Sequence, residues 1–203
     1  MPVPAALSYG RAEWDAAVAA ALQTGSLARP ERFRVLRPEG DILRSRAADS
    51  AAVLEPAGTS IESRRPELSW PATLGAEYIV TIARGDVPVL SSPRLPRNHW
   101  VVTTDLPRGG VFRWEVEVLH PEASPRILPA PPQPPALFYV LDENSVSEIG
   151  DARRRFPEDH LLLGVLYARH GVYERAVEEL RLYAAEHPSS GAARRLLESV
   201  RNW

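Results

Sequence analysis

The side chains able to do chemistry are few in this chain and lie far apart. Five histidines are present, His99, His120, His160, His170 and His187, and imidazoles serve as metal ligands or general bases when a partner stands at the right spacing. Asp159 and His160 form an adjacent pair, yet no third ligand follows at short range, so a metal site is not expected. His170 and His187 fall at the ends of two helical patterns, where imidazole caps carbonyls and complements the helix dipole. Cysteine is absent, which excludes disulfides, thiolate metal sites and a cysteine nucleophile. All 24 basic residues are arginine. Without lysine there is no Walker A lysine, Schiff base or Ser-Lys dyad. Neither a Gly-x-Ser-x-Gly elbow nor a His-Glu-x-x-His pattern occurs. The residues point to a non-catalytic protein without cofactor or metal.

Charge narrows the partners. A net charge of -2 and a pI near 6.2 give no general attraction to phosphate backbones, so nucleic acid is not an expected partner. The densest basic runs are Arg64-Arg65, in a loop before a strand, and Arg153-Arg154-Arg155, at a helix C-terminus where cations suit the dipole. The Glu178-Glu179 pair reads as the solvated side of a helix. Hydrophobic residues at 44% and charged residues at 25% are those of a folded globular protein. No apolar run approaches the roughly 18 residues that span a bilayer, so the chain itself is not expected to insert. Met1-Pro2-Val3-Pro4 lacks the basic and apolar regions of a secretory signal. The expected location is cytoplasmic if Met1 is the native start, and periplasmic or otherwise extracytoplasmic if an anchor has been removed.

The elements that would position these residues divide the chain into three. Residues 1–49 hold a helix, with Ser8 as a candidate N-cap, Trp14, Val18, Ala21 and Leu22 at helical spacing, and a stop at Gly25. A β-hairpin over 32–46 follows, with Phe33, Val35, Ile42 and Leu43 flanking Pro38-Glu39-Gly40-Asp41. Residues 50–142 carry short β-type runs at 52–54, 67–70, 77–82, 88–90, 99–103, 111–118 and 137–140, the signature of a β-sandwich. Alternation is clearest where Phe112, Trp114, Val116 and Val118 share one face and Arg113, Glu115 and Glu117 the other. The proline-rich stretch 121–135 is expected as a stiff loop outside the ladders, with a polyproline ligand as the second option. Residues 143–203 turn helical, with Ser145-Val-Ser-Glu148 as a capping box and Pro157-Glu158-Asp159 opening the next helix. The fold class is α+β, strands first and helices after.

Two resemblances follow from particular residues. Trp70 in the second run, Tyr78 in the third and Leu106-Pro107-Arg108-Gly109-Gly110-Val111-Phe112 entering the sixth make residues 50–142 resemble a fibronectin type III or immunoglobulin-like domain. The pattern departs at Phe112, which has no hydroxyl for the tyrosine corner such domains carry. Leu161-Leu162-Leu163-Gly164-Val165-Leu166-Tyr167, then Gly171-Val172-Tyr173-Glu174-Arg175-Ala176, Leu180 and Pro188, resemble a tetratricopeptide repeat over 157–190. In such a repeat Gly164 admits the second helix, Tyr167 fills the space between the helices, and Ala176 is the small residue packed against.

The tetratricopeptide resemblance implies a peptide-binding groove lined by Glu158, Leu161, Val165, Ala168 and Arg169, with Leu161, Val165, Ala168 and Arg169 as the partner-binding set; the alternative is that the chain's own helix over 145–156 fills that surface. One repeat cannot bury its own faces. The helix over 145–156 is expected to cover one side and that over 192–203 the other, the latter with Ala193, Leu196, Val200 and Trp203 inward. The layout is also similar to extracytoplasmic parts of bacterial envelope proteins of the anti-sigma type. The expected function is therefore a scaffold for a protein or peptide partner, and the alternative is a sensor segment of a membrane-anchored signalling protein.

Overall fold

Spacings of four and three residues between Trp14, Val18 and Ala21 put one apolar stripe on the first helix. All three side chains are buried in the structure, a computed structural model that describes residues 8–36 and 54–203. This helix, α1 (Ala12–Thr24), ends at Gly25, whose φ of 65° is left-handed and whose N–H reaches the Ala21 carbonyl at 2.8 Å. Only glycine fits there. Beyond the conformation itself, a Cβ would stand 2.6 Å from Arg195 Nε. Ser8 is not the N-cap: Arg11 holds that position without a side-chain bond, and Asp15 accepts instead from the Tyr9 N–H at 2.7 Å.

The hairpin expected over 32–46 is corrected in its first part, because Glu31–Leu36 is a helix, α2. Phe33 and Leu36, three residues apart, are buried, whereas Val35 is 58% exposed, so the period is helical and not alternating. The rest of that hairpin, and residues 52–53 of the first expected strand, lie outside the described residues.

Eight strands follow: β1 (Thr59–Ile61), β2 (Glu67–Ser69), β3 (Glu77–Arg84), β4 (Val87–Ser91), β5 (His99–Val101), β6 (Gly110–His120), β7 (Ala123–Leu128) and β8 (Ala136–Val140). They form a sheet of order β1-β8-β6-β3-β4, with β7 also on β6, and a two-stranded sheet β2-β5. Strand β1 runs parallel to β8, while the other pairs are antiparallel. The alternation read in β6 holds: Phe112, Trp114, Val116 and Val118 are buried, and the residues between them are half-exposed. Side chains of both sheets, Leu68 and Trp100 from one and Tyr78, Val80, Trp114 and Phe138 from the other, meet in a single core. Trp70 stands edge-on to Tyr78 at 5.3 Å and to Trp114 at 6.3 Å between ring centroids.

The stretch 121–135 is not wholly a loop. Its first half is β7, and Pro125 falls at the register shift between Val118 and His120 of β6, where the ladder does not call on its missing N–H.

Helices α3 (Glu143–Arg155), α4 (His160–His170), α5 (Tyr173–Glu186) and α6 (Gly191–Arg201) complete an α+β chain. The chain packs as two units, Met1–Pro30 with Asn144–Trp203, and Glu31–Glu143. Helix α1 thus joins the C-terminal helices, where the sequence pattern sets residues 1–49 apart. Within the helical unit α5 packs on α4 and on α6, and α1 packs on those same two helices.

Candidate partner-binding site

Helix α4 starts one residue after Asp159, whose carboxylate accepts the Leu162 N–H at 2.9 Å; Pro157 and Glu158 precede this cap and are not its first turn. From Leu161 to Ala168 every residue is apolar and buried, so α4 has no wet face. Its closest neighbour lies at Gly164. A Cβ there would stand 2.8 Å from Leu180 Cγ and 2.9 Å from Cδ2, so α5 approaches as only glycine allows. Ala176, on the same face of α5 as Leu180, is fully buried.

Three of the expected groove residues do not line an open groove within this chain. Leu161, Val165 and Ala168 are 3%, 2% and 0% exposed. Helix α4 is enclosed by its neighbours: α5 packs closely on it, and α1, from the other end of the chain, packs on it as well as on α6. Of the expected partner-binding set Arg169 alone is exposed, together with Glu158 of the wider lining.

Arg169 belongs to a polar cluster centred on Glu148. That carboxylate accepts the Trp14 indole N–H at 3.0 Å, lies 2.8 Å from His170 Nε2, and takes a longer contact from Arg169 at 3.4 Å. The capping-box role expected of Glu148 is corrected, since α3 begins at Glu143 and Glu148 sits well inside the helix. Trp14 lies edge-on to Phe156 at 6.3 Å, with the Arg11 and Arg155 guanidiniums 4.8 and 5.6 Å from its ring. Arg11 also pairs with Asp151 at 2.7 Å, and Arg155 donates to the Tyr9 carbonyl at 3.0 Å. The arginine run 153–155 is therefore engaged residue by residue: Arg153 reaches the Tyr167 hydroxyl and Arg154 pairs with Asp151. Arg64 and Arg65 both pair with Asp105, and the Arg65 hydrogen bond holds that carboxyl below its ordinary range.

A second polar cluster lies at the start of α4. His160 Nδ1 is 2.7 Å from Glu179, with Glu186 at 3.6 Å from Nε2, so Glu179 is a half-buried partner and not part of a solvated face. Nearby, burial pushes the Tyr9 phenol well up, with Asp159 adding to the shift, and the Tyr183 phenol is raised by burial and Asp159 in the same order. His187 meets the Tyr183 carbonyl at 3.0 Å, the carbonyl-capping role expected at that helix end.

In the β unit a shallow concavity of about 660 Å³ is lined by Thr73, Leu74, Tyr78, Arg97 and His99. The Tyr78 hydroxyl bonds the Thr73 N–H at 2.6 Å and its carbonyl at 3.1 Å, a tie back along the chain of the kind Phe112 cannot make. Among the described residues no group of three or more His, Asp or Glu is placed to hold a metal ion, and no helix is long and apolar enough to cross a membrane.

Sequence reasoning missed Glu148 and Trp14 as partners because nothing local links them. The available signal was the apolar stripe of α1 itself, which needs a face to cover. No protein-family model matches the chain, and no curated protein is similar to it.

Proposed function

We propose that this chain is a non-catalytic scaffold for protein partners, with its binding surface in the helical unit. The observation that carries the reading is the face formed by α4 and α6, which takes up a helix that the chain delivers from far away in sequence. A face that accepts an amphipathic helix through apolar residues at helical spacing, and fixes it with a few polar bonds at its edge, is the helix-in-groove mode of recognition.

Two further features support the architecture expected of such a scaffold. The close approach of α5 at Gly164, with the αL glycine Gly171 between the two helices, suits a tetratricopeptide-like pair, and α6 supplies the next inward stripe through Ala193, Leu196 and Val200. The order β1-β8-β6-β3-β4 sharing a core with β2-β5 suits a fibronectin type III or immunoglobulin-like sandwich.

Site-specific photo-crosslinking from position 169, at the rim of the cleft, tests the reading in cells of the source organism. Adducts to one protein at a single segment are expected. A folded chain that yields none would reject the scaffold role.

A further inference from the structure

Helix α1 is bound to its unit through space. Its covalent continuation, residues 25–30, leads to α2 in the other unit, whereas α3 to α6 follow one another along the chain. Only Trp14, Val18 and Ala21 of its thirteen residues are buried. Among the described residues its directional anchors, with those of the residues flanking it, include the Trp14 indole on Glu148, Arg11 on Asp151, the Tyr9 carbonyl on Arg155, and the Leu27 N–H on Ser199 Oγ at 3.1 Å. The first three reach α3 and the last reaches α6, and none is made to α4.

The Glu148 carboxylate decides what happens when α1 leaves. A buried charge that loses its partner is costly, and such a cost ordinarily locks an element in place. Here the charge keeps His170 at 2.8 Å and Arg169 at 3.4 Å, both on α4, so removal of Trp14 does not strand it. What removal does expose is the surface of α4 and α6 on which α1 packs, and α4 is apolar from Leu161 to Ala168. A second helix with the same pattern would cover it again.

We infer that α1 is a displaceable resident of the cleft between α4 and α6, holding it closed against a partner helix of the same pattern. The inference rests on the helix-receiving role proposed above. The partner presents an amphipathic helix with a basic residue, an indole three positions on, and small apolar side chains four and seven positions after the indole, matching Arg11, Trp14, Val18 and Ala21. The indole supplies the N–H that Glu148 accepts. Tethering gives α1 an effective concentration of order mM, so a helix in trans faces an apparent affinity reduced by that competition until α1 is released.

The test uses the full chain with a protease site placed at the exposed Ala28, and a fluorescent peptide of residues 8–26 as the probe. After cleavage the nicked protein should keep its helical circular dichroism and exchange its own α1 for the peptide. The uncut chain should need roughly a thousandfold more peptide for the same polarisation change. A peptide carrying Trp14→Ala should bind roughly 100-fold more weakly, and Glu148→Gln in the nicked chain should cost roughly tenfold. A nicked chain that stays folded without exchanging would overturn the inference, and so would one that unfolds on cleavage, since either makes α1 a fixed part of the core. Dimers of the uncut chain that dissociate on adding peptide would assign the cleft to α1 of a second copy and overturn the assignment to a partner. Failure of exchange while crosslinks from position 169 still form rejects the displaceable helix and leaves the scaffold reading standing.

Discussion

Replacing Gly164 by alanine sets two effects of known sign against each other. Alanine in a helix interior is favoured over glycine by about 1 kcal/mol, and Gly164 is not at a positive φ, so the backbone offers no objection. The new methyl would stand 2.8 Å from Leu180 Cγ and 2.9 Å from Cδ2, well inside ordinary contact. Leu180 is 0% exposed and has little room to swing, and its own backbone nitrogen lies 3.4 Å from the same point, so α5 must move. Overpacking of this kind costs about 1–3 kcal/mol. The net expectation for Gly164→Ala is destabilisation of up to about 2 kcal/mol, or a melting temperature lower by several degrees at about 2–4 °C per kcal/mol for a chain of this size.

The single variant alone does not separate the two effects, and a double-mutant cycle does. Leu180→Ala should cost about 2–5 kcal/mol by itself, yet it opens the space above Gly164. In that background Gly164→Ala should turn stabilising by about 1 kcal/mol, because the helix preference remains while the clash has gone. Urea denaturation of the four proteins, followed by far-ultraviolet circular dichroism, gives the coupling directly. A coupling below about 0.5 kcal/mol would refute the contact on which the helix pairing depends.

Three further outcomes are expected. Trp14→Phe keeps most of the buried ring but removes the N–H donated to Glu148, and urea denaturation should show a loss of about 1.5–3 kcal/mol; a loss no larger than that of an ordinary exposed substitution would place the indole outside the anchor. Tyr9 is held protonated above its ordinary value of 10.0, so its contribution to stability is complete below pH about 10 and is withdrawn as pH rises beyond; Tyr9→Phe should flatten the alkaline decline in melting temperature, and an unchanged decline would refute the assignment. Asp105 is depressed chiefly by Arg65, so its contribution is present at neutral pH and lost as pH falls through the lowered value; in Arg65→Ala, carboxyl titration by NMR should move Asp105 back toward 3.8.

What the sequence made legible was whatever a local period encodes. The α4–α5 pair was visible from Gly164, Tyr167, Ala176 and Leu180, and the inward stripe of α6 from Ala193, Leu196 and Val200, with Trp203 just beyond the helix, all buried in the structure. Strand β6 was visible because its alternation runs unbroken. Strands β1 and β7 were not, for physical reasons: Thr59-Ser60-Ile61 is short and mostly polar, and Ala123–Leu128 contains a proline and exposes five of its six residues. Helix α2 was misjudged because Phe33 and Val35 suggest alternation until Leu36 is seen to be the second buried residue.

The candidate site was legible only in part, and the reason is the same in each case. Ser145-x-x-Glu148 satisfies a local rule for a helix start, yet Glu148 is engaged by Trp14, which no rule of short spacing connects to it. Glu179 sits beside Glu178 in sequence, yet His160 draws one of the two inward. Leu161, Val165 and Ala168 were placed on one face by the tetratricopeptide resemblance, which carries no information about what covers that face in this chain. An apolar stripe that finds no partner in its own neighbourhood must find one elsewhere in the fold. Helix α1 packs on α4 and α6, and the polar anchors at Glu148, Asp151 and Arg155 fix its register. A helix whose register rests on a few directional bonds is selected by those anchors, since apolar packing is non-directional. Discrimination among competing helices should therefore follow the indole and the basic residue preceding it.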